Sequence, residues 1–366
     1  MLKKIVFFLI FPSYLYCMQL DIQKLTLDQK IGQLFMIAAV TEEEIAADCI
    51  AKKNYRMDKE YIEDMILYHY IGGIIYLGKS DKEKQINRTS HFQSISTIPL
   101  LIGQDLEPGR IGASRFPDNF NFPTNQELGK TNNVEQTKKI AHDIGNFCKE
   151  VGVHINFAPV VDINNNAANP VINDRSFSDK PQIVTAHASA FAQGLQDAGI
   201  IACIKHFPGH GDTTVDSHDD LPFIQHTKER LHAIELYPFK QLIKKNIPAI
   251  MIAHLCVPAL EHEESVPATF SKTIVTDLLQ NELGFSGLVI TDALDMGAIT
   301  KMYKPEEAAL RALMAGNDIL LCPVNVPAAV TAIKQALKDN VIAEDDINKH
   351  VEKILRIKQT IFKNME

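Results

Sequence analysis

Beyond residue 20 the chain alternates between two kinds of segment. Eight short runs, at 34–39, 73–77, 100–104, 153–158, 200–204, 249–253, 288–291 and 319–322, are rich in Ile, Val and Leu and show no polar alternation. Strands covered on both faces read this way, because neither face has to meet water. The stretches between them have helical spacing. Segments 132–149 and 181–197 are long enough for helices, and Gly199 stops the second just before the next strand. Segment 229–245 places Leu231, Leu236, Phe239, Leu242 and Ile243 on one predicted face; Ile347, Val351, Ile354 and Leu355 do the same in the last helix. Thr26 and Gln29 have the spacing of a capping box ahead of the first run. Eight strands alternating with helices predict an α/β fold with a parallel sheet. Eight is also the number that closes a (β/α)8 barrel of the TIM type, here expected to have irregular first strands. An open doubly wound sheet is the alternative.

The first 20 residues follow another pattern. Lys3 and Lys4 precede an apolar run from Ile5 to Tyr16 that Pro12 and Ser13 interrupt, and Cys17 follows. A basic start and an apolar core too short to span a bilayer predict a secretory-type leader over 1–20. Export is therefore expected, to a periplasm or as a lipoprotein anchored at Cys17, with 21–366 as one barrel domain. Tyr14-Leu15-Tyr16 is bulky where a lipoprotein signal is small, which counts against lipidation at Cys17. A hydrophobic leader on a cytoplasmic enzyme is the alternative to export.

Composition narrows the function. With 366 residues, 46% of them hydrophobic, the chain can bury the core of one large barrel. A net charge of −8 argues against a nucleic-acid partner, because neutralising phosphates requires a basic face. No feature predicts a protein partner. The six cysteines form no C-x-x-C pair, and Cys203, Cys256 and Cys322 lie in apolar runs, where buried thiols are expected.

Candidate chemistry gathers at the carboxyl ends of the predicted strands. The third run ends in Asp105, the fourth leads to Asp162, the fifth to Lys205 and His206, the sixth to His254 and the seventh to Asp292. Five successive strands aiming ionisable groups at one rim predict a polar pocket. The stretch 205–222, K-H-F-P-G-H-G-D-T-T-V-D-S-H-D-D-L-P, has too little apolar bulk to order itself and reads as a working loop. Three activities compete. His206-x-x-x-His210 raises metal-assisted hydrolysis, but a Pro/Gly loop gives that spacing no helical meaning and the first run has no histidine. A glycan-binding protein without turnover leaves Asp292 and the Asp216/His218 pair without a task. Glycosidic cleavage with retention uses both. Asp292 at a rigid strand end suits a nucleophile, and Asp216 can hold the imidazole of His218 as a proton donor if the loop is extended. Taken alone, Asp216-Ser217-His218 reads better as an Asx-type turn with an exposed histidine.

The loop K-H-F-P-G-H-G-D-T-T-V-D-S-H resembles the signature of family 3 glycoside hydrolases, specifically the β-N-acetylglucosaminidases of bacterial cell-wall recycling. The resemblance continues through Asp105-Leu-Glu-Pro-Gly-Arg110, Asn156-Phe-Ala-Pro-Val-Val-Asp162, Arg175-Ser-Phe and Thr291-Asp292-Ala-Leu-Asp-Met, roughly residues 22–360. It implies a retaining β-N-acetylhexosaminidase with Asp292 as nucleophile and His218 as acid/base, partnered by Asp216. Asp295 is then a supporting group. It implies sugar contacts from Asp105, Arg175, Lys205 and His206, and from Arg115, with Arg110 as rival because 105–115 is about two residues longer than the usual pattern and Pro108 replaces a common glycine. The implied substrate is a small carbohydrate, an N-acetylglucosaminyl muropeptide or a related glycan, with no cofactor and no metal. Gly209 and Gly211 are expected to let the loop swing over bound sugar. A β-glucosidase and a phosphorylase are the alternatives within the family. The first usually takes its acid/base from a second domain, whereas D-S-H offers one within the barrel.

Overall fold

The computed structural model describes residues 20–42, 45–47, 56–261, 263 and 265–363. The expected leader, save Leu20, lies outside these residues, as do Cys17 and Cys49. Eight strands form one sheet: β1 Phe35–Ala39, β2 Gly73–Tyr76, β3 Leu101–Gln104, β4 Ile155–Asn156, β5 Ile201–Phe207, β6 Ala249–Ile252, β7 Leu288–Thr291 and β8 Leu320–Leu321. All pairings are parallel, in the order β7-β6-β5-β4-β3-β2-β1-β8. The ring is completed between β7 and the approach to β8. Thr291 N–H donates to the Ile319 carbonyl at 3.0 Å, and Ile319 N–H to that of Val289 at 3.1 Å. The fold is therefore the (β/α)8 barrel and not the open sheet.

Every residue of these strands is buried, which is why none of the runs alternates. Inside the barrel, Gly103 leaves room for a ring: a Cβ there would lie 2.8 Å from Phe157. Irregularity was expected in the first strands and occurs elsewhere. β1 and β2 pair evenly, whereas β4 and β8 are two residues long and the β5–β6 register shifts between Ile204 and Phe207.

The helices at Val134–Glu150 and Pro181–Asp197 occupy the predicted segments and pack closely, since a Cβ at Gly194 would meet the Lys138 carbonyl at 2.3 Å. Thr26 caps its helix as its spacing indicates, Gln29 N–H donating to Thr26 Oγ1 at 3.2 Å and Gln29 Oε1 accepting from Thr26 N–H at 2.9 Å. In the final helix, Glu344–Lys363, the four predicted apolar residues are buried. Cys148, Cys203 and Cys256 are free and buried, and Cys322 is buried.

Two expectations fail. Segment 229–245 is not one helix but two, Lys228–Ala233 and Tyr237–Ile243. Pro238 has no N–H to continue the ladder, and Glu235 turns inward at the interruption. The fifth strand also runs further than its apolar residues suggest, so Lys205 and His206 stand on β5 itself and not on a Pro/Gly loop. Carboxylates in the segments after β3 and β4, Asp105, Glu107 and Asp162, make burial of those two polar side chains tolerable.

Candidate active site

A cavity of about 670 Å³ opens at the carboxyl ends of the strands. Asp105, Arg115, Arg175, Lys205, His206, His218 and Asp292 all line it, as do Glu107 and Asp295. Asp162 and His254 are buried behind this wall, and Asp216 stands beside His218 without lining the cavity. Arg110 does not reach it. It is exposed and pairs with Asp174 at 3.4 Å, so of the two rival arginines only Arg115 faces the cavity.

One side of the cavity is an ionic network. Lys205 Nζ donates to Asp105 Oδ1 at 2.8 Å and pairs with Glu107 Oε1 at 2.7 Å. Arg175 clasps Glu107 with two donors, Nε to Oε2 at 2.9 Å and Nη2 to Oε1 at 2.8 Å. Arg115 Nη2 lies 3.6 Å from Asp105 Oδ2. Burial pushes the Glu107 carboxyl upward, but Arg175 and Lys205 outweigh it and hold it far below the ordinary glutamate value. Glu107 was not among the residues singled out from the sequence. Its signal was present: two residues after Asp105 at a strand end, it can face the same side.

Asp162 organises the next wall. Wholly buried, it accepts from His206 Nδ1 at 2.6 Å and from the N–H groups of His206 and His210 at 3.2 and 2.6 Å. Burial raises its carboxyl, yet His206 and His210 bring it below the usual aspartate range. The His206 Nδ1 proton is thereby fixed on Asp162, leaving Nε2 as the free ring nitrogen at the cavity. His210 bonds Thr213 through Nδ1 at 2.8 Å and Ser217 through Nε2 at 3.1 Å, and burial lowers it to about 4. It is a neutral anchor for the loop. His206 and His210 thus share an aspartate and do not converge on a metal.

Asp292 follows β7. Its N–H donates to the Ile252 carbonyl at 2.9 Å and its Oδ1 accepts from Ala293 N–H at 2.8 Å. Burial raises the carboxyl, but His206, His254, the Ala293 N–H and Lys205 reverse the balance, so it is ionised at neutral pH. His254 braces the next peptide, with Nε2 donating to the Ala293 carbonyl at 2.9 Å and Nδ1 bonded to Thr269 at 2.7 Å.

Asp216 and His218 meet: Nδ1 lies 2.8 Å from Asp216 Oδ1, which also accepts His218 N–H at 2.9 Å. They do so through an Asx-type turn and not through an extended loop, since the N–H groups of Asp219 and Asp220 both close on the Asp216 carbonyl at 3.0 Å. The imidazole is 66% exposed at the cavity mouth. The loop rests on the segment after the nucleophile candidate. Gly297 N–H donates to the His218 carbonyl at 3.0 Å and Ala298 N–H to that of Ser217 at 3.2 Å. The expected hinge glycines pack tightly instead, because a Cβ on Gly211 would meet the Ile163 carbonyl at 1.7 Å and one on Gly209 would meet Glu235 Cβ at 2.8 Å. The exposed part of the loop begins only at Thr214.

Residues 26–357 match the family model for the glycosyl hydrolase family 3 N-terminal domain. The chain is 33% identical to beta-hexosaminidase A of Pseudoalteromonas piscicida, across 91% of its own length and 61% of that protein. It is 36% identical to the beta-hexosaminidase LpqI of Mycobacterium tuberculosis, across 71% of this chain and 68% of the relative. The solved family 3 beta-N-acetylglucosaminidase of Paenibacillus superposes with a TM-score of 0.81 at 37% identity, over 92% of this chain and 62% of that one. A family 3 glycosyl hydrolase of Mycobacterium smegmatis gives 0.80 at 31% identity, over 92% and 98%. The chain thus spans less than two thirds of the Pseudoalteromonas and Paenibacillus proteins and nearly all of the M. smegmatis one.

Proposed function

The chain belongs to glycosyl hydrolase family 3, and from that premise we propose that it is a retaining exo-β-N-acetylhexosaminidase releasing terminal β-linked N-acetylglucosamine. Asp292 attacks the anomeric carbon while His218, held by Asp216, protonates the leaving oxygen. The glycosyl–oxygen bond breaks as the bond from C1 to Asp292 forms. Water then attacks C1, gives its proton to His218 and frees the carboxylate. Asp105 accepts from sugar hydroxyls, while Lys205, Arg175 and Arg115 donate to them. The substrate class is peptidoglycan-derived fragments, a choice that rests on the resemblance of the catalytic loop.

One observation carries the reading: the ionised Asp292 and the paired His218 face one cavity, and the loop bearing His218 is bonded to the segment following Asp292. A chromogenic β-N-acetylglucosaminide, assayed with and without inorganic phosphate, tests it. Release of N-acetylglucosamine with the β configuration at first formation, unchanged by phosphate, supports the proposal. Appearance of a sugar phosphate makes the protein a phosphorylase, and absence of turnover leaves a glycan-binding protein. Asp292→Asn is expected to lower kcat by at least about 10³-fold.

A further inference from the structure

Away from the cavity, three metal-ligand types converge where the catalytic loop leaves and rejoins the barrel. Asp212 follows Gly211, His226 precedes the helix Lys228–Ala233, and Glu235 sits in the interruption before Tyr237–Ile243. One ligand atom from each lies within 4.8 Å of the other two. None of the three lines the cavity, and sequence spacing alone picks out none of them. Asp216 and His218 lie between Asp212 and His226 in the chain, so a tie between positions 212 and 226 closes the loop that carries them.

The cluster has an unmet demand. His226 Nε2 lies 2.5 Å from Asp212 Oδ2. Glu235 Oε1 accepts from Asn165 Nδ2 at 3.0 Å and Arg230 Nη2 at 3.1 Å. Glu235 Oε2 is buried with no partner, and so is Oδ1 of the same Asn165 amide. The Glu235 side chain is only 2% exposed. A carboxylate oxygen withdrawn from water without a partner is costly. Asp212 pairs with His226 and Glu235 with Arg230, whose Nε is likewise buried without a partner. A cation bound at Glu235 Oε2 satisfies that oxygen.

We propose that Asp212, His226 and Glu235 form a binding site for a divalent cation of the zinc class, which clasps the two ends of the catalytic loop. One imidazole nitrogen with two carboxylate oxygens is a borderline donor set that suits zinc, whereas magnesium and calcium prefer oxygen alone. Asp212 and His226 are 22% and 33% exposed, which provides entry, and Glu235 forms the buried wall. The cation takes no part in bond cleavage; it fixes the base of the loop. Binding is independent of the glycosidase reading, and only its effect on turnover rests on that reading.

The test uses the full chain, stripped with chelator and titrated with zinc chloride by calorimetry, with metal content measured by mass spectrometry. The wild type and His218→Ala are expected to bind one zinc per chain. Asp212→Asn, which keeps the side-chain shape, and His226→Ala, each checked for native circular dichroism, are expected to bind at least about 100-fold more weakly. Zinc is expected to slow amide exchange across 212–226 in the wild type and not in His226→Ala. Affinity falls on acidification, because protons compete for the imidazole. No binding by the wild type overturns the proposal. So does binding that survives in both Asp212→Asn and His226→Ala, or that disappears in His218→Ala, which would place zinc on the Asp216/His218 pair. A protein that binds zinc in the expected way but has no glycosidase activity refutes the functional reading and leaves the site intact.

Discussion

At the scale of single residues, environment assigns two carboxylates different tasks. Asp292 is ionised beside His206, His254 and Lys205, as the proposed nucleophile has to be, whereas Glu107 is bound by two cations and positions them. His218→Ala is expected to reduce turnover by about 10²–10⁴-fold on alkyl and sugar leaving groups, and much less on nitrophenyl substrates that need little protonation, as parallel kcat measurements will show. Glu107→Gln leaves Arg175 and Lys205 without their shared partner. Loss of about 3–5 kcal/mol is expected in urea denaturation at pH 7, as for a broken buried pair. The pH dependence follows from the sign. Because the folded carboxyl lies below its unfolded value, Glu107 contributes stability above about pH 4.3, and that stability is lost as the pH falls toward the folded value. The wild-type advantage over Glu107→Gln is therefore expected to shrink on acidification.

At the scale of elements, the loop carrying Asp216 and His218 is held at its base and exposed at its tip. Gly211→Ala drives a methyl group into the Ile163 carbonyl, so the loop must move. A fall in kcat with retained circular dichroism is expected, and an unaffected kcat would show that the base of the loop can shift freely. The strands were legible in the sequence because burial on both faces removes alternation, and Pro181–Asp197 because its proline start and glycine stop mark both ends. The interruption at 234–236 was not, since Leu231, Leu236, Phe239 and Leu242 keep helical spacing across it and are all buried in spite of it. The polar continuation of β5 was hidden for the opposite reason. Lys205 and His206 are buried only because Asp105, Glu107 and Asp162 reach them from the segments after other strands, and pairing across 40 to 100 residues leaves no local trace. The Asp216/His218 contact was legible from its spacing, and the Asx-type turn that makes it was the other reading of the same three residues.

At the scale of the whole molecule, the barrel separates chemistry at one end from stability at the other. Far from the cavity, the last helix buries Lys358, whose Nζ bonds Gln33 Oε1 at 2.6 Å, and desolvation lowers it to about 7. The sign is the reverse of the Glu107 case. The folded value lies below the unfolded one, so this lysine costs stability at neutral pH, and the cost fades as pH rises from about 7 toward 10. The denaturation midpoint of the wild type is expected to gain on that of Lys358→Met across this interval; parallel midpoints would show the amine already paired.

The most direct measurement concerns the bond at C1. A fluorinated N-acetylglucosaminide that forms its glycosyl-enzyme faster than water removes it can be incubated with the protein and the digest read by mass spectrometry. The peptide containing Thr291-Asp292-Ala-Leu-Asp295 is expected to carry one sugar, esterified to Asp292 and absent in Asp292→Asn. A sugar attached to any other side chain, or turnover of the same compound by Asp292→Asn at the wild-type rate, would contradict the account.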